Sequence, residues 1–247
     1  MGVEVLTAVH AGYAKFLPAA WTSLKAQSRA EWVWLVQIDG SDGLVLDELS
    51  RCGAAGDDRV RIASNGTREG PATTRNLALG RASAALIQHL DADDELEPDA
   101  LTVLSAALHR HPTTGYAVGH ARDLLPTGEL REHALPIQPG VLEQGRLPRG
   151  WRTEPDRYEV PVHPAGVMWR HELLLTLGGW PALRGIEDTA LLMAASACCD
   201  GVLIDAPTLR YRRHGDQRSG KTQISPGGCP YVGCQAAAWR EVASGCR

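Results

Sequence analysis

Between residues 3 and 90, short apolar runs alternate with helical stretches, and no other feature of the chain constrains its fold as strongly. "VEVLTAV" (3–9) is rich in β-branched residues and reads as a buried strand. "AKFLPAAWTSLKAQ" (14–27) then carries Phe16, Leu17, Ala20, Trp21 and Leu24 at helical spacing. "WVWLVQI" (32–38) is a second strand, stopped by the turn-forming "DGSDG". "VLDELSR" predicts a short helix and "RVRIA" (59–63) a third strand. "PATTRNLALGRASAA" (71–85) opens on Pro, which is favoured at the first helical position, and a fourth strand is expected over Leu86–Leu90. Apolar strands separated by helices predict a mostly parallel sheet covered on both faces. Ligands of such sheets bind beyond the carboxyl ends of the strands. The polar turns "HAGY", "DGSDG" and "DADDE" are therefore expected to converge on one crevice.

The pattern loosens further on. A helix opened by Pro98 is expected over 98–111, and a strand over 116–125. "AGVMWRHELLLTLGGW" (165–180) reads as strand, helix and Gly stop, and "EDTALLMAASACC" (187–199) as an amphipathic to buried helix. "VLIDAPTLRYRRH" predicts two short strands, whereas 126–164 shows no clear period. Without an internal repeat or low-complexity linker, one domain over 1–247 is expected.

A net charge of -4 and a pI near 6.1 argue against nucleic acid or anionic lipid as a partner. The start "MGVEVLTAVHAGYAKF" lacks a basic segment followed by an apolar core, and no apolar run is long enough to span a bilayer. "MGVEVL" has Leu where a myristoylation signal needs Ser or Thr, so a cytoplasmic protein is expected. Cys52, Cys198, Cys199, Cys229, Cys234 and Cys246 form no CxxC pair and read as reduced thiols. A zinc site built from Cys229, Cys234, Cys246 and a histidine is the alternative.

The fourth strand runs into Asp91, Asp93, Asp94 and Glu95, whose charges repel one another. Such a segment is either a solvated loop or the seat of a cation. An EF-hand is excluded, because its required Gly and Glu positions, counted from Asp91, hold Leu96 and Thr102. A divalent ion shared with a diphosphate fits better: Mg²⁺ and Mn²⁺ prefer oxygen ligands, and D-x-D in a turning segment presents two carboxylates to one side.

"HLDADDELEPDAL" resembles the D-x-D segment of family-two glycosyltransferases of the GT-A fold. Four more segments match in order: "FLPAAWTSLKAQS" the family's first helix, "VQIDGSDG" its second strand and turn, "EGPATTRNLAL" its G-P-A-x-A-R-N-x-G opening, and "LGGWPALRGIEDTALLMAAS" its G-G-F…E-D segment. Ile38 replaces the first Asp of the family's D-D-G-S turn, and "AVHAG" departs from its P-T-Y-N at His10. The resemblance covers residues 3 to about 214. It implies an α/β GT-A domain, with a nucleotide-sugar-binding half (1–97) and an acceptor-side half (98–247).

The resemblance also implies roles. Asp39 matches a contact to base or ribose, though it suits an Asx turn as well. Arg75 and Asn76 match donor-side residues at a helix start, where a guanidinium suits a diphosphate or nucleobase. Asp93 is expected on Mn²⁺ or Mg²⁺, and Asp91 on ribose or metal. His214 would complete the metal shell, and Arg212 or Arg213 would neutralise the leaving group. Asp188 matches the general base of an inverting transferase, Glu187 its neighbour on the acceptor side; both also suit a helix cap. Trp151, Tyr158 and Trp180 are expected to wall the acceptor, whereas Trp169 reads as core. The implied partners are a UDP- or dTDP-linked sugar and a small-molecule or glycan acceptor. A pyrophosphorylase would want a Gly-rich loop where "VHAGYAKF" stands, and a non-catalytic nucleotide-sugar binder is the other alternative.

Overall fold

β1 (Val3–Val9), buried at every position but Ala8, runs through the sheet on which the molecule is built. The structure is a computed structural model that describes residues 2–41, 43–150, 152–154, 157–159, 161–215 and 217. After β1 come α1 (Leu17–Lys25), β2 (Val33–Ile38), α2 (Gly43–Arg51), β3 (Val60–Ser64), α3 (Pro71–Leu79) and β4 (Leu86–His89). β5 (Glu95–Leu96), α4 (Ala100–Arg110), β6 (Tyr116–Leu124), β7 (Leu130–Arg131), β8 (Gly140–Leu142) and α5 (Arg146–Gly150) follow. The described chain closes with the hairpin β9 (Arg152–Glu154) and β10 (Arg157–Glu159), then β11 (Met168–Arg170), α6 (His171–Thr176), α7 (Glu187–Cys198) and β12 (Gly201–Arg212).

The strand order is β3-β2-β1-β4-β11-β6-β12-β5. β1 to β4 are mutually parallel, and β12 is parallel to β6. β11 runs antiparallel to both β4 and β6, and β5 antiparallel to β12. Period two is visible in β1: Val3 and Val5 enter one core with Trp21, Trp34 and Leu104, while Leu6 enters the other with Tyr116, Trp169 and Leu191. Both faces are thus covered, as continuous apolar strands require. Among the described residues no helix is long and apolar enough to cross a membrane.

Three local expectations change and a fourth narrows. α3 stops at Leu79 because Gly80 follows, so the segment to Ala85 is not helical. The 14–27 helix is preceded by a 3-10 turn, Ala11–Phe16, with Pro18 in the first turn of α1. The two strands expected near the end are one, because β12 absorbs Pro207 as an irregularity in its pairing with β6. Helix α7 takes the buried end of its amphipathic-to-buried expectation along most of its length.

The β6–β12 pairing leaves no room at Gly201, where an added Cβ would stand 2.2–2.7 Å from three ring carbons of Tyr116. Gly201→Ala is expected to lower unfolding stability by about 1–3 kcal/mol, the usual cost of overpacking. The readout is a lower urea midpoint at constant slope; an unchanged midpoint contradicts this packing.

Candidate active site

The carboxyl ends of β1, β2 and β4 do converge, and their geometry begins with Asp39 just past β2. Its carboxylate accepts the backbone N–H groups of Glu69 (2.7 Å) and Gly70 (3.1 Å), pinning the start of α3. Gly70 has φ +90°, a conformation that favours glycine, and Pro71 then opens the helix. One turn on, the Arg75 side chain is buried under the crevice. Its Nη2 donates to Asp91 Oδ1 at 2.6 Å, and its Nη1 lies 3.2 Å from Asp188 Oδ1 and 3.9 Å from Glu187 Oε1. His89, also buried, places Nε2 3.1 Å from Asp91 Oδ1 and Nδ1 3.8 Å from Asp188 Oδ1.

The neighbouring residue ties in the acceptor-side loop. Asn76 Nδ2 donates to the Trp180 carbonyl (2.9 Å), and Asn76 Oδ1 accepts the Trp180 N–H (2.8 Å). That clasp explains "GGW": Gly179 has φ +76°, and a Cβ there would meet Asn76 Oδ1 at 2.3 Å. Trp180 Nε1 in turn donates to Asp188 Oδ1 at 2.9 Å. Asp188 at the start of α7 is therefore aimed by Trp180, Arg75 and His89, whose contacts all fall on Oδ1.

The acidic loop divides by charge. Burial works against ionised Asp91, but Arg75 and His89 outweigh it and hold the carboxyl well below the usual carboxylate range. Asp93 and Asp94 lie beyond Arg75, and at these two His214 and Arg212 do not outweigh burial. Burial and the charge of Asp91 raise Asp93 against the His214 hydrogen bond, and burial with the charges of Asp93 and Asp91 raises Asp94 well above the usual range. Asp94 Oδ2 is buried with no hydrogen-bond partner among the described residues. Burial likewise raises Asp188, with Arg75 and His89 opposing.

His214 Nε2 lies 2.9 Å from Asp93 Oδ2. Two neighbouring ligands, each about 2.1 Å from an octahedral ion, stand about 3 Å apart, so this pair fits a shared Mg²⁺ or Mn²⁺. His89, Asp91 and Asp188 form a second group able to hold a metal, their ligand atoms lying within 4.8 Å of one another. The Arg75 guanidinium already pairs with both carboxylates of that group and would repel a divalent ion.

Other expected residues lie as follows. Trp180 and Glu187, expected against an acceptor, are both buried at 2 % exposure and present no surface to stack on. Asn76 clasps Trp180, and Arg75 serves carboxylates, so neither side chain lies open to a donor. Arg213 follows β12 half-exposed, its Nε 3.9 Å from Asp123 Oδ2. Trp169 is core, as expected. Trp151, the Tyr158 side chain, and the cysteines 229, 234 and 246 fall outside the described residues.

Two features had no counterpart in the sequence reading. His89 is the last residue of β4, two before Asp91, and its ring meets the Asp91 carboxylate. Tyr13 and Phe16 pack their rings 5.8 Å and 4.6 Å from that of His214, beside the acidic loop. Only the turn position after β1 hinted at them.

Residues 5–167 match the family Glycosyl transferase family 2. The O-antigen biosynthesis protein RfbC of Myxococcus xanthus is 26% identical over 110 residues, 44% of this chain and 9% of that protein. The uncharacterized protein y4gI of Sinorhizobium fredii is 34% identical over 90 residues, 36% of this chain and 10% of that one. The chain thus spans about a tenth of these relatives. The fold is that of S. aureus TarS 1-349 in complex with UDP-GlcNAc, with a TM-score of 0.74 at 16% identity over 97% of this chain and 66% of that one. The UDP complex of the same protein gives 0.67 at 17% identity, over 86% and 61%.

Replacing Arg75 by Leu leaves Asp91, Asp188 and Glu187 without their counter-ion. The loss is expected to be about 3–5 kcal/mol of unfolding free energy, as for a broken buried pair. Arg75→Lys, which keeps the charge, should lose less. Urea denaturation reads both, and an Arg75→Leu midpoint equal to wild type contradicts the shared-cation geometry.

Proposed function

The chain belongs to glycosyl transferase family 2, and we propose that it transfers a sugar from a nucleotide-diphosphate donor to an acceptor hydroxyl, with inversion and with help from a divalent cation. One observation carries this reading: Asp93, which meets His214 and has no guanidinium on its carboxylate, follows in the same loop on Asp91, and Arg75 joins Asp91 to the aimed carboxylate Asp188. UDP or a related nucleotide is the favoured donor group, because the structurally similar S. aureus TarS is seen with UDP and UDP-GlcNAc. The acceptor is a small molecule or glycan, met by the half of the chain after residue 97.

In this reading Asp93 and His214 hold Mn²⁺ or Mg²⁺. When bound, the ion offsets charge on the departing diphosphate. Asp91 Oδ1 is taken by Arg75 and His89, so Oδ2 faces a ribose hydroxyl or the ion. Asp39 keeps a lone pair for the nucleoside beyond its backbone contacts, and Arg213 lies half-exposed beside the diphosphate position. Asp188 Oδ2 accepts the proton of the acceptor hydroxyl as its oxygen bonds the anomeric carbon and the bond to the diphosphate oxygen breaks. Trp180 and Arg75, both on Oδ1, hold that carboxylate in place.

Metal-linked donor binding is tested by calorimetry with UDP, with Mn²⁺ and with EDTA. Affinity is expected to need the metal and to lose that dependence in Asp93→Ala; equal affinity in both solutions contradicts the reading. Base catalysis is tested with Asp188→Asn, which is expected to cut turnover about 10²–10⁴-fold while donor affinity holds. Burial raises Asp188, so wild-type kcat should fall in acid along a limb above the usual carboxylate range, and the variant should lack that limb. Near wild-type turnover in Asp188→Asn removes it as the base, and loss of donor binding makes it structural.

A further inference from the structure

The last strand reaches back to the acidic loop chiefly through Arg212, beside the pairing of Arg210 with Glu95. Arg212 donates its backbone N–H to Asp94 Oδ1 (2.9 Å), its Nε to the Asp93 carbonyl (2.9 Å), and its guanidinium to the Glu95 carboxylate. Three successive residues of the loop are held from one position, so Arg212 braces the loop and its guanidinium does not reach towards a leaving group. Two residues later His214 Nε2 meets Asp93.

A histidine that binds metal is usually aimed by a hydrogen bond from its other ring nitrogen. His214 Nδ1 is buried and has no such partner among the described residues. Phe16 and Tyr13 pack the ring, with centroids 4.6 Å and 5.8 Å away, but aromatic contact does not fix the backbone that carries it. Gln217 does. Its Oε1 accepts the His214 N–H (3.1 Å), its Nε2 donates to the Arg212 carbonyl, and its own N–H points to the His214 carbonyl (3.4 Å). The side chain is buried. A primary amide both donates and accepts, so it bridges the residue that grips the loop and the residue that meets Asp93.

We propose that Gln217 is a positioning residue for the metal pair, its amide locking the turn after β12 so that His214 stands against Asp93. The inference rests on the reading of Asp93 and His214 as the cation's holders. Loss of an outer contact of this kind typically weakens metal binding about 10–100-fold.

The test is electron paramagnetic resonance of free Mn²⁺ during titration of the full chain with UDP present, alongside urea unfolding without metal. Gln217→Ala is expected to weaken Mn²⁺ binding at least about tenfold. Gln217→Glu keeps size and the accepting oxygen but cannot donate to the Arg212 carbonyl, so it should weaken binding too, with a urea midpoint near wild type. His214→Ala is the control and should weaken it as much or more. Wild-type Mn²⁺ affinity in Gln217→Glu, with His214→Ala impaired, overturns this inference and leaves the proposed function standing. Wild-type affinity in His214→Ala overturns both.

Discussion

The buried guanidinium of Arg75 is the interaction on which the rest of the crevice depends. Asp91 and the neighbours Glu187 and Asp188 come from different parts of the chain, and burying them together without a cation would be strongly unfavourable. Arg75 removes that obstacle from below and leaves the top of the crevice open. It can do so because Asp39 fixes the start of α3 and Asn76 fixes the loop before α7. The first half of the chain thereby positions a carboxylate contributed by the second.

One cation shared this way also divides the acidic cluster. Asp91 is paired and stays ionised, whereas Asp93 and Asp94, only a step along the chain, are raised by burial and by the charge of Asp91, with that of Asp93 added at Asp94. A folded loop with unmatched buried carboxylates is unfavourable unless a positive charge arrives. The repulsion evident in "DADDE" is thus answered by the Arg75 guanidinium at Asp91, by Arg210 and Arg212 at Glu95 and, in our reading, by a divalent ion at Asp93 between them. The contacts follow the same division: on each of Asp91, Asp188 and Asp93 the protein's grip falls on one oxygen.

Much of this was legible in the sequence. The apolar runs at 3–9, 32–38 and 86–90 gave strands within a residue or so, because continuous burial leaves a plain pattern. "DADDE" and "IEDTALL" marked the two acidic ends of the site by residue type alone. Partner choice was not legible. Arg75 reads as a surface arginine on an amphipathic helix until Asp188 stands beside it, and Asn76 meets Trp180 across 104 residues of chain. Trp180 looked like a platform for a ligand because a sequence does not show which side of a Gly turn an indole takes; burial against His89 and Asp188 decides it. Pro207 broke the expected run into two strands, although an irregular pairing with β6 accommodates it in one.

The central claim is that the cation belongs with Asp93 and His214, because Arg75 already occupies the electrostatic role at His89, Asp91 and Asp188. Anomalous scattering at the manganese edge, from crystals grown with UDP and Mn²⁺, tests this most directly. The account predicts one peak within bonding distance of Asp93 and His214, next to the diphosphate. A peak among His89, Asp91 and Asp188, or bound UDP with no peak at either place, contradicts it.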